Sequence, residues 1–186
     1  MPCSWLRYTS RLNLGVRPQG KVVSKSKIVV FLIVWFLWAT GKDLDALVRY
    51  SITSDFYVLS SVGLPWLYFA MGLVVFLLNT ASVFYLFRPQ PIGQRVLFNA
   101  LAAAAVQNAI TLSFALNNLS GVREAYARGR ELRGLAVREE ALDMIFTQPA
   151  MLVATAVMLA VYALIAFAVY RSKPCFYGVP GQTSEA

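Results

Sequence analysis

IVVFLIVWFLWATGKDLDALVRY (residues 28–50) opens as a membrane helix and closes as a soluble one. Its apolar run ends at Trp38, and Lys42, Asp43, Asp45 and Arg49 follow. The placement of those charges decides how many times the chain crosses a bilayer. A crossing needs roughly 20 residues of helix. The segment reaches that length only if Lys25 and Lys27 snorkel at one end and residues beyond Trp38 join at the other. Trp35 and Trp38 suit the outer interface, where indole rings prefer to sit.

Three placements compete. The first is a signal sequence, with basic residues, a short apolar core and Ala39-Thr40-Gly41 as a small-x-small cleavage site. The second is an uncleaved span whose outer end merges into an exposed helix. The third draws Lys42, Asp43, Asp45 and Arg49 into the membrane as a charge cluster. A charge near the bilayer centre costs several kcal/mol or more, which weighs against the third. Asp45 and Arg49 stand four apart and can pair on an exposed helix. The second placement is therefore the expectation.

The rest of the chain repeats the membrane signal more plainly. Of 186 residues only 14% are charged, against about 25% in soluble domains, and mean hydropathy is +0.58. The apolar residues lie in long runs, the pattern of an integral membrane protein. Spans are expected at about 28–41, 63–87, 96–116 and 148–170, with outer loops at 42–62 and 117–147. Pro65 and Gln148-Pro149 fall in first turns, where a missing backbone donor costs little. The fold class that follows is an all-α membrane protein, a four-span antiparallel helix bundle with an amphipathic helix in the second outer loop. That helix is expected over 122–146, with Leu132, Leu135, Leu142 and Ile145 on one stripe and Glu124 paired to Arg128.

Orientation follows from charge. The net charge of +8 comes from 17 Lys and Arg against 9 Asp and Glu. Basic residues dominate the 1–27 tail, the 88–95 turn and the 172–186 tail with its approach at Arg171. The positive-inside rule places those segments in the cytoplasm and the other two loops outside. The expected location is a bacterial inner membrane, with the lipid bilayer and other membrane proteins, or a second copy, as partners and no nucleic acid.

Few residues point to chemistry. The chain lacks histidine and has two cysteines, Cys3 and Cys175, in no ligand-spaced cluster. Ordinary zinc sites, bis-His haem and His-based triads are thereby disfavoured, so no metal, cofactor or catalytic residue is expected. Glu139-Glu140 is the only adjacent acid pair, and neighbouring helical positions point in different directions. Asn118-Leu119-Ser120 matches a glycosylation acceptor, and Cys175 a palmitoylation site, in a eukaryotic setting.

Within the expected spans the polar residues are neutral. Tyr68, Gly72, Asn79 and Ser82 share a face of the second span, and Gln107, Asn108 and Thr111 share an arc of the third. Asn79, Gln107, Asn108 and Thr111 form a candidate intramembrane polar surface. Asn and Gln cannot be satisfied by lipid, so they turn inward and bond a neighbour, with Asn79 and Gln107 the expected pair. Small residues recur every four positions at Ala105, Ala109 and Ser113, a spacing that lets helix backbones approach. The leading expectation is a non-catalytic accessory or assembly subunit that binds other membrane proteins. A small-solute channel or carrier acting as an oligomer is the alternative, and an enzyme acting on lipid through Glu139 or Glu140 the second alternative.

Overall fold

The computed structural model describes residues 27–173 and 176. Cys3, Cys175 and most of both terminal tails lie outside the described residues. Within them the chain forms seven α-helices and a 3-10 turn, with no strand. The helices are α1 (Lys27–Val48), α2 (Ser54–Ser61), α3 (Pro65–Phe87), α4 (Pro91–Ala115), α5 (Leu119–Glu131), α6 (Glu139–Ile145) and α7 (Gln148–Arg171). The 3-10 turn, Tyr50–Ile52, links α1 to α2.

Three of the four long helices start with proline in the first turn: Pro65, Pro91 and Pro149. Proline's fixed φ suits that position, and its missing N–H would have had no helical partner there. Pro91 moves the start of α4 well before residue 96. The turn expected at 88–95 thus shrinks to 88–90.

α3, α4 and α7 are long and apolar enough to cross a membrane, with mean hydropathy of 1.9, 1.4 and 2.6 over their best windows. α1 fails that criterion of length and composition, because Lys42, Asp43 and Asp45 lie within it. It is nevertheless one unbroken helix through Ala39, Thr40 and Gly41. α1 packs on α3, α3 on α4, and α4 on α7, while α1 also touches α7.

The interior holds two apolar clusters. One joins Val29, Leu32, Ile33 and Phe36 of α1 to Leu86, Leu97, Ala100, Leu101, Ile165 and Val169, near the 88–90 turn. The other is small: Val58, Ala115 and Val122, with Phe114, Phe146 and Met151 against it. It closes the opposite end, where α2 and α5 meet the end of α4 and the start of α7.

The helix expected over 122–146 is broken in two. α5 stops at Glu131, and Gly134 takes a left-handed φ of +68°, a conformation glycine adopts without steric cost. Leu142 is buried, but Leu132, Leu135 and Ile145 are exposed, so the expected stripe does not pack as one face. Glu124 and Arg128 form no ion pair among the described residues. Instead Arg123 of α5 reaches Glu139 and Asp143 of α6, the latter at 2.8 Å, and ties the two short helices together.

Candidate functional site

The polar residues of the long helices collect between the two apolar clusters. On α1 the buried stripe Val29, Leu32, Ile33, Phe36 continues, seven residues past Phe36, to Asp43. On α3, moving away from Leu86, the same face presents Ser82 and then Asn79, both buried. On α4, Asn108 and Thr111 stand between Leu101 and Ala115; on α7, Tyr162 stands between Ile165 and Met151. Each long helix contributes one polar group or more to this middle region, at different levels: Asn108 and Thr111 stand further from the 88–90 turn than Asn79 does.

Two hydrogen bonds organise it. Asn79 donates its amide N–H to the Asp43 carboxylate at 2.7 Å. Asn108 donates to the Tyr162 phenol oxygen at 2.7 Å and, from the same nitrogen, to the Ala104 carbonyl at 3.0 Å. The Asp43 carboxylate is close enough for its field to act on both Tyr68 and Tyr162. Tyr68 spends its own proton on the Ala46 carbonyl at 2.8 Å, which pins the second half of α1 to α3.

This divides the four charges of the opening stretch. Asp45 and Arg49 pair with each other at 3.0 Å on the exposed side, as their spacing suggests. Lys42 is exposed and lies over the Trp38 ring at 5.2 Å. Asp43 alone turns inward, so the expectation that all four stay outside is corrected at that residue. The seven-residue step from Phe36 was the available signal; a count of charges hid it.

The expected Asn79–Gln107 pair does not form, and helix rise gives the reason. Both helices leave the 88–90 turn, Asn79 eight residues from one side of it and Gln107 sixteen beyond Pro91 on the other. At 1.5 Å per residue the two levels differ by about 12 Å. Gln107 is left half-buried, away from the hydrogen bonds that organise this region.

Between α4 and α7 this region opens into a cavity of about 180 Å³. Asn108, Thr111 and Tyr162 line it, with Asp55 of α2 and the apolar Leu112, Met151, Met158 and Leu159. Among the described residues this half of α7 is loosely covered: from Leu152 to Ala160 no residue is buried. Ile165 and Val169 hold the other half against α4.

Asp55 is positioned by an aromatic knot. Phe56 meets Tyr50 edge-on at 4.9 Å and Tyr68 at 5.5 Å, and Val58 and Leu59 of the same helix are buried. Burial raises the Asp55 carboxyl above its ordinary value, and Lys42 opposes this only in part. Thr111 is buried as well, and its hydroxyl has no hydrogen-bond partner among the described residues. The four residues of the expected polar surface therefore separate: Asn108 and Thr111 line the cavity, Asn79 serves Asp43, and Gln107 joins neither.

No family model matches this chain. Neither a curated protein nor a solved structure gives a significant match. Glu139 and Glu140 are both exposed, and the first is engaged with Arg123. Asn118 caps α5, its side-chain oxygen accepting from the Gly121 N–H at 3.2 Å.

Proposed function

We propose that the chain is a multi-pass integral membrane protein of a bacterial inner membrane and acts as a non-catalytic accessory or assembly subunit. In this reading α1, α3, α4 and α7 cross in alternate directions as an antiparallel four-span bundle, both chain ends are cytoplasmic, and the α5–α6 segment lies outside. One observation carries the binding role. The outward face of α4 presents Asn99, Ala102, Val106, Ala109 and Ser113 at alternating three- and four-residue steps, all exposed. Large apolar side chains cover lipid-facing helix surfaces well, and α7 shows them at Leu152, Val153, Val157, Leu164 and Phe167. The α4 face is instead small, and it carries an amide. Small residues admit a second helix backbone, and lipid cannot satisfy an asparagine, whereas a neighbouring helix can.

The occupant supported by that face is a transmembrane helix of another membrane protein. Gentle extraction from the native membrane should recover a defined complex, and Ala109→Leu together with Asn99→Leu should release the partner while leaving the chain in the membrane. Recovery of a monomer alone in repeated native preparations overturns the proposal. Recovery of a dimer of this chain alone overturns it as well.

A second reading, a small-solute channel or carrier, draws support from the cavity and its polar lining. Flux through proteoliposomes of the unmutated protein, reduced by alanine at Asn108, is the result it requires; no flux in the unmutated protein removes it.

A further inference from the structure

The cavity between α4 and α7 contains a polar atom with no internal explanation. A helical threonine in an apolar setting commonly donates its hydroxyl to the carbonyl four residues back. Thr40, Thr80 and Thr155 all do so here, at 2.7, 2.8 and 2.9 Å. Thr111 does not. It is 8% exposed, its hydroxyl is buried and unpartnered among the described residues, and it lines the cavity. A buried hydroxyl in that state is complete only when something else supplies its hydrogen bond.

The other polar groups indicate what that would be. Both amide N–H groups of Asn108 are committed, to Ala104 and to Tyr162, so its oxygen remains to accept. Thr155 has spent its proton on Met151 and can only accept. Asp55 offers a carboxylate with no ion pair among the described residues; Lys42 acts on it only at a distance. Tyr162 accepts from Asn108 and has its own O–H to give, and Thr111 can donate as well as accept, so the lining mixes donors and acceptors around one carboxylate, Asp55. Leu112, Met151, Met158 and Leu159 complete the lining with apolar surface that water would not wet well. An engineered cavity of about 150 Å³ is known to hold benzene, so the 180 Å³ found here admits one ring and a short arm.

We propose that this cavity binds a small amphiphilic amine, with an aromatic-sized apolar body between α4 and α7 and its ammonium group among Asp55, Asn108 and Thr111. An ammonium carries three donors and no acceptor, so it can serve the Asp55 carboxylate, the Asn108 oxygen and the Thr111 hydroxyl together. Its positive charge answers the one carboxylate in the lining, and the methionines adapt to the body's shape. This site is on the opposite side of α4 from the exposed stripe at Asn99, so the inference stands apart from the accessory-subunit reading, and its failure would leave that reading in place.

The test uses the full chain in nanodiscs of neutral lipid, with empty nanodiscs as the partition control. 2-Phenylethylamine is the probe and 3-phenylpropanoate its anionic counterpart, with binding followed by calorimetry or saturation-transfer NMR. The amine should bind saturably, and the anion at least about tenfold more weakly, the usual scale of a charge mismatch at a half-buried site. Thr111→Val should weaken amine binding several-fold, and Asp55→Asn by about tenfold or more. Met158→Trp should fill the space and abolish it. Absence of saturable binding by the unmutated protein overturns the proposal, as does equal affinity for amine and anion. So does retention of full affinity in both Thr111→Val and Asp55→Asn. The comparison of the two probes on the unmutated chain decides even where a variant folds poorly.

Discussion

At the scale of single residues, the Asp43–Asn79 bond is the contact most exposed to test. Replacing Asn79 by leucine would leave a sheltered carboxylate without its donor, at a cost of about 1.5–3 kcal/mol for a hydrogen bond to a charged group. Asp43→Asn retains a hydrogen-bonding side chain and removes the charge, so it should cost much less. Denaturant unfolding in detergent micelles separates the two, and equal losses would mean the bond contributes little. Asp55 makes a second prediction, through pH. Burial raises its folded-state pKa above the 3.8 of an ordinary aspartate, so the fold favours the protonated form. The sign follows: this contribution is fully present below pH 3.8 and is lost as pH rises through the raised folded value. Asp55→Asn should therefore raise the melting temperature at neutral pH, with the gain shrinking toward pH 3.8 and vanishing below it. A gain that grew on acidification would reverse the argument. Of these residues, Asn79, Asn108 and Thr111 stood out in the sequence, because a neutral polar side chain in an apolar run is conspicuous. Asp43 and Asp55 did not. Asp43 lies among other charges and Asp55 in a loop expected to be exposed, and only packing distinguishes an inward carboxylate from a solvated one.

At the scale of elements, the long helices were legible and the short ones were not. An apolar run of more than twenty residues reads the same whatever it packs against. α2, α5 and α6 owe their limits to contacts that periodicity cannot foresee: the aromatic knot around Phe56, the left-handed Gly134 and the Arg123 clasp. α5 rests against the 3-10 turn at Gly129, where an added Cβ would lie 2.6 Å from the Ile52 carbonyl oxygen. That neighbour is backbone and cannot swing aside. Gly129→Ala should thus push α5 off the turn and destabilise the fold by about 1–3 kcal/mol, the usual scale of overpacking, despite alanine's better helix propensity. Thermal unfolding of the variant checks it, and an unchanged or higher melting temperature would show that the contact yields. Arg123→Met should speed amide exchange across Glu139–Ile145, since seven residues are too few to hold a helix unaided. Unaltered exchange there would mean that α6 is held by its packing on α7.

At the scale of the whole molecule, the question raised by the opening stretch becomes one of counting sides. α3, α4 and α7 have the length and composition to cross; α1 has the length but carries Lys42, Asp43 and Asp45. Its packing removes much of the objection. Asp43 is sheltered against Asn79, Asp45 is matched by Arg49, and Lys42 reaches back over Trp38, so the charges are individually accommodated. The outward flank at Val30, Phe31, Val34 and Leu37 is as apolar as a lipid-facing surface needs to be. A fourth crossing then requires Lys27 and Asp45 to lie on opposite sides of the membrane. With Cys3 and Cys175 replaced by serine, single cysteines at Lys27, Asp45, Gln90 and Arg130 supply the test. An impermeant maleimide added to intact cells should reach the Asp45 and Arg130 positions and miss those at Lys27 and Gln90, with all four labelled after permeabilisation. Labelling at Lys27 and Asp45 together would reduce α1 to a helix lying along the surface and the bundle to three crossings. Labelling at Gln90 but not Arg130 would invert the molecule, and with it the assignment of arginine-bearing turns to the cytoplasm. The two failures are distinct because the first concerns whether a hydrogen-bonded carboxylate can accompany a helix through lipid. The second concerns only which way the basic flanks face.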